Sequence, residues 1–139
     1  MSSLVTLRAV WREAVVTDAF ASQFTEWFER EGRQRWWWVA EDGSGLALGM
    51  VNLKVFDRMP SPGGSPSRWG YLANLFVHPA VRNQGIGTLL LSALLDTSRK
   101  EGLVRVVLSP TAQSVPLYKR AGFDPADGLL VWQPAMKKV

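Results

Sequence analysis

The chain has 139 residues, of which 47% are apolar and 20% are charged, and its formal net charge is +4. This length and composition predict one folded domain, residues 1–139, and exclude a wholly disordered chain. The absence of cysteine excludes disulfides, thiolate metal sites and a cysteine nucleophile, and a single histidine excludes a histidine-rich metal site. The N-terminal residues carry no long apolar run, so we expect neither a signal peptide nor a membrane span. We therefore expect a cytoplasmic protein.

Basic residues are concentrated in the middle of the chain. Between Lys54 and Arg120, nine bases stand against three acids. A basic centre of this kind suits an anionic ligand such as a phosphate-bearing cofactor, and it also suits nucleic acid. A third interpretation is that these are solvated side chains without a role. No dense basic run favours nucleic acid.

The first third of the chain predicts a strand followed by a helix. Residues 5–10 have the pattern of a strand. Thr17 or Asp18 then caps a helix that runs to about Arg30, and Gly32 is expected to stop it. One face of this helix is aromatic and is interpreted as core, with Phe20, Phe24, Trp27 and Phe28 at helical spacing.

A β-hairpin is predicted next. Residues 36–41 and 46–56 have the pattern of antiparallel strands around an Asp-Gly-Ser-Gly turn. Because side chains alternate along a strand, Trp36 and Trp38 share one face and Trp37 takes the other. The three tryptophans indicate either a stacking site for bases or sugars or, as favoured here, a strand buried on both faces.

Residues 57–67 hold three prolines and two glycines, so this segment predicts a loop. Two interpretations are open for it. The loop is either a flap beside an active site or an inert surface connection.

The rest of the chain predicts a strand–helix–strand unit and two shorter elements. Residues 68–77 form the first strand, 87–101 a helix with a wide apolar stripe, and 103–108 a strand apolar enough to be central. A right-handed crossover makes the two strands parallel. A short helix over 112–120 and a last antiparallel segment at about 129–136 complete the predicted elements.

The segment that joins the strand 68–77 to the following helix is the candidate ligand site. Unpaired backbone N–H groups at a helix N-terminus, together with the helix dipole, attract anions. Gly85 and Gly87 let the backbone approach a diphosphate, and Arg82 adds a positive charge. The segment matches neither the Walker A motif nor the three-glycine dinucleotide fingerprint. Its Gly-x-Gly spacing alone is a weak signal.

Two motifs carry a resemblance to a known family. Residues 77–90, VHPAVRNQGIGTLL, resemble the Arg/Gln-x-x-Gly-x-Gly/Ala signature of the GNAT superfamily of acyl-coenzyme A-dependent N-acetyltransferases. Residues 117–123, LYKRAGF, are similar to its Leu-Tyr-x-x-x-Gly-Phe motif. The resemblance implies an α/β fold of the α+β type. It has a mixed, mostly antiparallel sheet of six to seven strands, about four flanking helices and a central parallel βαβ unit.

The resemblance also implies where acetyl-CoA, the expected co-substrate, would bind. The backbone of Leu75, Phe76 and Val77 would pair with the pantetheine amides where strand 68–77 splays from strand 103–108. A backbone N–H near residues 76–77 would polarise the thioester carbonyl. The remaining cofactor contacts would come from the loop (Arg82, Asn83, Gln84, Gly85, Ile86, Gly87 and Thr88) and from the facing hydroxyls (Ser109, Thr111 and Ser114).

By the same resemblance, Tyr118 would be the general acid that protonates the departing thiolate. A free thiol has a pKa near ~8.5 and a phenol near ~10, so donation is feasible when the two groups touch. The alternative is a tyrosine that only packs on the sheet. Thr111 replaces an asparagine common in the family, which puts one cofactor hydrogen bond in doubt.

The base is not evident. Many family members carry a carboxylate on the strand that precedes the glycine loop, whereas residues 71–77 hold none. Asn74 is the polar residue of this segment that is expected to point inward, and it is the candidate for a catalytic role there. Glu41 and Asp57 are weaker candidates. His78 precedes Pro79 in a turn and is expected at the surface.

The acceptor is expected to be a primary amine of a small molecule or peptide, acetylated by direct attack in a ternary complex. Its pocket would be aromatic with few acids, which suggests an apolar or aromatic amine. The residues expected to line it are Trp36, Trp38, Met50 and Asn52, with Asn74 and the 57–67 loop. A non-catalytic acyl-CoA sensor and a nucleic-acid-binding domain are the alternatives. We expect no metal, nucleic-acid or membrane partner, and a homodimer is left open.

Overall fold

The computed structural model describes residues 2–134, which contain four α-helices and four strands. The helices are α1 (Ser2–Trp11), α2 (Asp18–Arg30), α3 (Ile86–Lys100) and α4 (Val115–Arg120). The strands are β1 (Trp36–Glu41), β2 (Ala47–Asp57), β3 (Arg68–Val77) and β4 (Val106–Val107). None of these helices is both long enough and apolar enough to cross a membrane.

The strands form one sheet in the order β1-β2-β3-β4. The pairs β1–β2 and β2–β3 are antiparallel, whereas β3 and β4 are parallel and are joined by the α3 crossover. The mixed, mostly antiparallel sheet and the parallel βαβ unit are therefore confirmed. The predicted count of six to seven strands is wrong for residues 2–134, where the sheet has four.

Apolar side chains cover both faces of the sheet. On one face, Leu90, Leu91 and Leu94 of α3 pack with Val51 and Leu53 of β2. On the other, Leu4 and Leu7 of α1 pack with Met50 and Phe76. The sheet is thus held between α3 on one side and α1 with α2 on the other.

The strand predicted over residues 5–10 is wrong, because these residues belong to helix α1. The alternation of Val5, Leu7 and Ala9 resembles a strand. Yet Leu4, Leu7 and Trp11 lie at helical spacing, and this face packs on β2 and β3. Packing outweighs the strand preference of the valines and threonine.

The central position predicted for residues 103–108 is also wrong. Only Val106 and Val107 form strand β4, which lies at the sheet edge, and the Val104 side chain is 52% exposed. The antiparallel segment predicted at about 129–136 is not a strand over residues 129–134, where Leu129–Trp132 are exposed. Residues 135 and 136 lie outside the described part of the chain.

The helix predicted after Thr17 is confirmed as α2. The Thr17 hydroxyl accepts a hydrogen bond of 3.1 Å from the Phe20 N–H, which satisfies a donor that a helix start leaves unpaired. The hairpin of β1 with β2, strand β3 and helices α3 and α4 also lie where they were predicted, within a few residues at their ends.

Candidate active site

Strand β3 carries a bulge near its carboxyl end. Met50 pairs with Phe76 and Asn52 pairs with Ala73, so β3 has one more residue than β2 between these two pairs. The extra residue leaves Asn74 with a left-handed backbone, at φ +59°. Asparagine tolerates this conformation better than most residues, and a bulge bends the strand that carries it.

Beyond the bulge, β3 diverges from β4. The two strands pair only at Gly70 with Val106 and Tyr71 with Val107. The backbone edge of β3 from residue 72 onwards therefore has no strand partner on its β4 side within residues 2–134. This is the splay that the resemblance implies, and it opens a cleft between β3, the start of α3 and α4.

The cleft has a volume of about 810 Å³, within the range of small-molecule sites. We call it the donor cleft. Every residue expected to contact the cofactor lines it except Gln84, and Asn74 and Tyr118 line it as well. The fold therefore brings these scattered positions together around one cavity.

The floor of the donor cleft is the loop that leads into α3. Asn83 and Gly85 both have left-handed backbones, at φ +64° and +84°. The Arg82 Nε donates a hydrogen bond of 3.0 Å to the Val77 carbonyl oxygen, which ties this loop to the end of β3. A Cβ added to Gly87 would lie 3.5 Å from Leu117, another cleft residue. The loop thus offers helix N–H groups, a cation and open space to an anion.

The opposite wall of the donor cleft carries the hydroxyls. Thr111 and Ser114 hydrogen-bond each other, with 3.0 Å between their hydroxyl oxygens, and the Tyr71 hydroxyl donates to Ser109 at 3.2 Å. These side chains are held by one another and face the loop across the cleft.

Tyr118 is buried in α4, and its ring lies edge-on to Phe123 with 5.6 Å between centroids. Its hydroxyl makes no hydrogen bond to any residue in 2–134. Burial raises the pKa of Tyr118 above the usual value of a phenol. The group is therefore a neutral proton donor throughout the physiological pH range.

A second cavity, of about 680 Å³, lies on the other face of the sheet between α1, α2 and strands β1 to β3. We call it the acceptor cavity. It meets the donor cleft at Asn74, which lines both. The other residues that line it are Arg8, Phe20, Gln23, Phe24, Glu26, Trp27, Arg30, Arg35, Trp37 and Met50.

The predicted lining of this cavity needs correction. Met50 lines it, and Asn52 is fully buried below it. Trp36 and Trp38 do not line it, because they pack against α3 on the opposite face, and Trp37 takes that place. The tryptophans alternate as predicted, and this alternation places Trp37 at the cavity and Trp36 and Trp38 on the α3 face.

The 57–67 loop lines neither cavity. It connects β2 and β3 at the end where Asp57 pairs with Arg68, whereas the two cavities meet near Met50 and Asn74. Asp57 is seven positions further along β2 than Met50, which places the loop roughly 20 Å away. Of the two interpretations, the surface connection fits this position.

The basic side chains of the acceptor cavity were not predicted. The aromatic face of α2 was interpreted as core, yet Phe24 and Trp27 are only partly buried and line the cavity. The helical spacing of α2 could have indicated these polar residues, because Gln23, Glu26 and Arg30 lie on the same face of the helix as the aromatic side chains. Arg35 carried no signal, since it stands alone between a 3₁₀ turn and β1.

His78 has a structural position. Its Nδ1 accepts a hydrogen bond of 3.1 Å from the Ala80 N–H and caps the turn after β3, and it lines neither cavity. Glu41 and Asp57 line neither cavity either. Within residues 2–134, no group of three or more histidine or carboxylate side chains is arranged to hold a metal ion.

Sequence comparison identifies the family of this chain. The acetyltransferase (GNAT) family profile matches residues 2–123. The chain therefore belongs to the GNAT family.

Three known proteins illustrate the relationship. A glucosamine 6-phosphate N-acetyltransferase of Trypanosoma brucei brucei is 33% identical over 80 residues, covering 58% of this chain and 52% of the relative. An L-methionine sulfoximine/L-methionine sulfone acetyltransferase of Pseudomonas aeruginosa is 32% identical over 120 residues, covering 84% of this chain and 65% of the relative. The chain thus spans about half to two thirds of these relatives. A predicted acetyltransferase of Clostridium acetobutylicum, crystallised with acetyl-CoA, shares the fold with a TM-score of 0.72 at 21% identity, covering 94% of this chain and 86% of that one.

Proposed function

We propose that the protein transfers an acetyl group from acetyl-CoA to the primary amine of a small molecule or peptide, by direct attack in a ternary complex. The observation that carries this proposal is that Asn74, at the bulge of β3, lines both cavities. Ligands bound from opposite faces of the sheet would meet there. The relatives named for small amine substrates support a small-molecule acceptor.

The donor cleft fits the chemistry of acetyl-CoA, which supplies an activated thioester when bound. The loop from Arg82 to Thr88 presents helix N–H groups and a guanidinium to a pyrophosphate. The backbone edge of β3 from Leu75 to Val77, which has no strand partner on its β4 side within residues 2–134, offers donors and acceptors for the pantetheine amides. Ser109, Thr111 and Ser114 add hydroxyl contacts from the other wall.

The reaction requires one proton to be delivered and one to be removed. The amine nitrogen bonds to the thioester carbonyl carbon while the carbon–sulfur bond breaks. A backbone N–H near Phe76 and Val77 stabilises the charge that develops on the carbonyl oxygen. The Tyr118 hydroxyl donates its proton to the departing sulfur and regains one from water.

The proton lost by the amine needs a base. An amide is not basic, so we assign Asn74 to orienting the amine. Glu26 is the carboxylate among the residues that line the acceptor cavity. We propose that it accepts the proton through water.

Calorimetric titration with acetyl-CoA, followed by a thiol-release screen over amino acids, amino sugars, aminoglycosides and peptide N-termini, tests the proposal. Binding together with amine-dependent release of free coenzyme A is expected. Absence of heat at millimolar acetyl-CoA would refute the donor site. Binding without release for any amine would instead favour a non-catalytic acyl-CoA-binding module, the alternative suggested by the lack of a carboxylate in residues 71–77.

A further inference from the structure

The acceptor cavity has an excess of positive charge. Arg8, Arg30 and Arg35 line it, against the single carboxylate of Glu26. None of the three arginines forms an ion pair with any residue in 2–134, whereas Arg33, which lies outside the cavity, pairs with Glu29. Among the described residues, the arginines of the cavity therefore outnumber its carboxylates and form no ion pair.

Arg35 is held in place but is incompletely paired. Its Nη1 donates a hydrogen bond of 3.0 Å to Asn52 Oδ1, and its guanidinium lies over the Trp27 ring at 5.5 Å. Its Nε is buried and has no partner within residues 2–134. A buried N–H without an acceptor is unfavourable, so this guanidinium has donor capacity left for a ligand.

Glu31, an acid within electrostatic range of Arg35, does not supply the missing partner. Glu31 accepts a hydrogen bond of 3.1 Å from Lys54, and this contact is the main reason that the pKa of Glu31 is lowered. The charges of Arg35 and Arg30 lower it further, so both arginines lie within electrostatic range of a carboxylate already bound elsewhere. An additional anion in the cavity would complete the charge balance.

Arg8 leads to the same conclusion from the α1 side. Its guanidinium lies 4.7 Å over the Trp11 ring. Burial lowers the pKa of Arg8, and the charge of Arg12 lowers it further. The guanidinium stays charged but is less well solvated than a free one, so it would gain from a bound anion.

Building on the acetyltransferase function proposed above, we propose that the acceptor amine also carries an anionic group, a carboxylate or a phosphate monoester. Arg35 is the main anchor for that group, with Arg30 and Arg8 adding positive charge. The planar guanidinium matches both anions, which share oxygens that accept two parallel hydrogen bonds.

The position of Arg35 also limits the size of the acceptor. A single amide, that of Asn52, connects Arg35 to Asn74, where the amine would react. The anion and the amine therefore belong to one small molecule, such as an amino acid or an amino sugar phosphate. Phe24, Trp27 and Trp37 leave an apolar surface for the rest of it.

Binding of matched pairs of amines, measured in the presence of saturating coenzyme A, tests this inference without requiring turnover. Calorimetry would compare L-phenylalanine with L-phenylalaninamide, and glucosamine 6-phosphate with glucosamine. At least tenfold tighter binding of one anionic member is expected, and which pair responds distinguishes carboxylate from phosphate. Equal affinity within both pairs would overturn the inference.

Two variants assign the preference to the cavity. Arg35→Gln should reduce the preference for the anionic amine at least tenfold, and Arg30→Gln should reduce it about threefold to tenfold. Because Arg30 is exposed, its variant is expected to fold even if Arg35→Gln does not. Arg33→Gln is the matched control, and its preference should equal that of the unmodified protein. A preference unchanged in both cavity variants would overturn the inference. Failure to bind coenzyme A would refute the proposed function instead, so the two failures are distinguishable.

Discussion

Asn52 donates a hydrogen bond of 2.8 Å from its Nδ2 to Oδ1 of Asn74, and this bond joins the core to the meeting point of the two cavities. The same Asn52 side chain accepts from Arg35 through its Oδ1. One fully buried amide therefore orients both the residue at the β3 bulge and the guanidinium of the acceptor cavity.

Replacing Asn52 with leucine should lower the free energy of unfolding by about 2–4 kcal/mol. The apolar side chain leaves a guanidinium donor of Arg35 and the Asn74 carbonyl without a partner, and each such loss costs about 1–3 kcal/mol. Urea unfolding followed by tryptophan fluorescence measures this. Gln34→Leu is the control, because Gln34 is exposed and donates one hydrogen bond to the Arg30 carbonyl. Similar losses in the two variants would contradict the assigned role of Asn52.

Replacing Tyr118 with phenylalanine should reduce kcat by about 10²-fold or more while leaving the affinity for acetyl-CoA nearly unchanged. Because burial raises the pKa of the phenol, its proton-donating form is fully present in the neutral range. That form is lost only as the pH rises beyond about 10, the usual value for tyrosine. The difference between the two proteins should therefore be constant from pH 7 to pH 9. Equal kcat values would remove Tyr118 from the mechanism.

Local signals were sufficient to predict the elements that surround the donor cleft. Strand β3 has the predicted bounds, 68–77, because a proline-rich loop precedes it and a proline turn follows it. The Thr17 cap predicted helix α2, and the apolar stripe over residues 86–95 predicted helix α3. The residues around the cleft could be grouped because two motifs resemble those of a known family.

The acceptor side was predicted less well, because it depends on packing. Residues 5–10 alternate like a strand, and only contact with Met50 and Phe76 decides for a helix. That helix and α2 determine which face of β1 the acceptor cavity occupies. Without these helices, the sequence does not show which of Trp36 and Trp37 faces the cavity. Nothing in the sequence then distinguishes Arg35 from the other basic residues.

Adding a methyl group at Gly87 should separate ligand affinity from stability. The new Cβ would make only ordinary contacts, 3.5 Å to Leu117 and 3.8 Å to Val77, and alanine is the better helix former by about 1 kcal/mol. Thermal unfolding of Gly87→Ala should therefore match or exceed that of the unmodified protein. Its affinity for acetyl-CoA should fall at least tenfold, because the methyl group enters the donor cleft.

Gly85→Ala should behave in the opposite way with respect to stability. Space around this position is open, but its φ of +84° is unfavourable for any side chain, and the left-handed conformation costs about 1–2 kcal/mol. Gly128→Ala is the control, since Gly128 has open space and no positive φ. Thermal unfolding of Gly85→Ala and Gly128→Ala measures this difference.

Gly128→Ala also serves as the control for ligand binding. If Gly87→Ala binds acetyl-CoA as tightly as Gly128→Ala does, the loop is not the phosphate site.

Replacing Glu26 with glutamine should reduce kcat by about 10- to 100-fold at pH 7, because a primary amine with a pKa near ~10 must lose a proton before it attacks. The loss should shrink as the pH approaches 10, where about half of the amine is already free and the rate depends less on the base. Glu29→Gln is the matched control: Glu29 lies on the same helix but pairs with Arg33 and lines neither cavity. Initial rates of thiol release from pH 6.5 to pH 10 measure both variants. A loss in Glu26→Gln that persists at pH 10, or an equal loss in Glu29→Gln, would exclude Glu26 as the base and leave solvent as the proton acceptor.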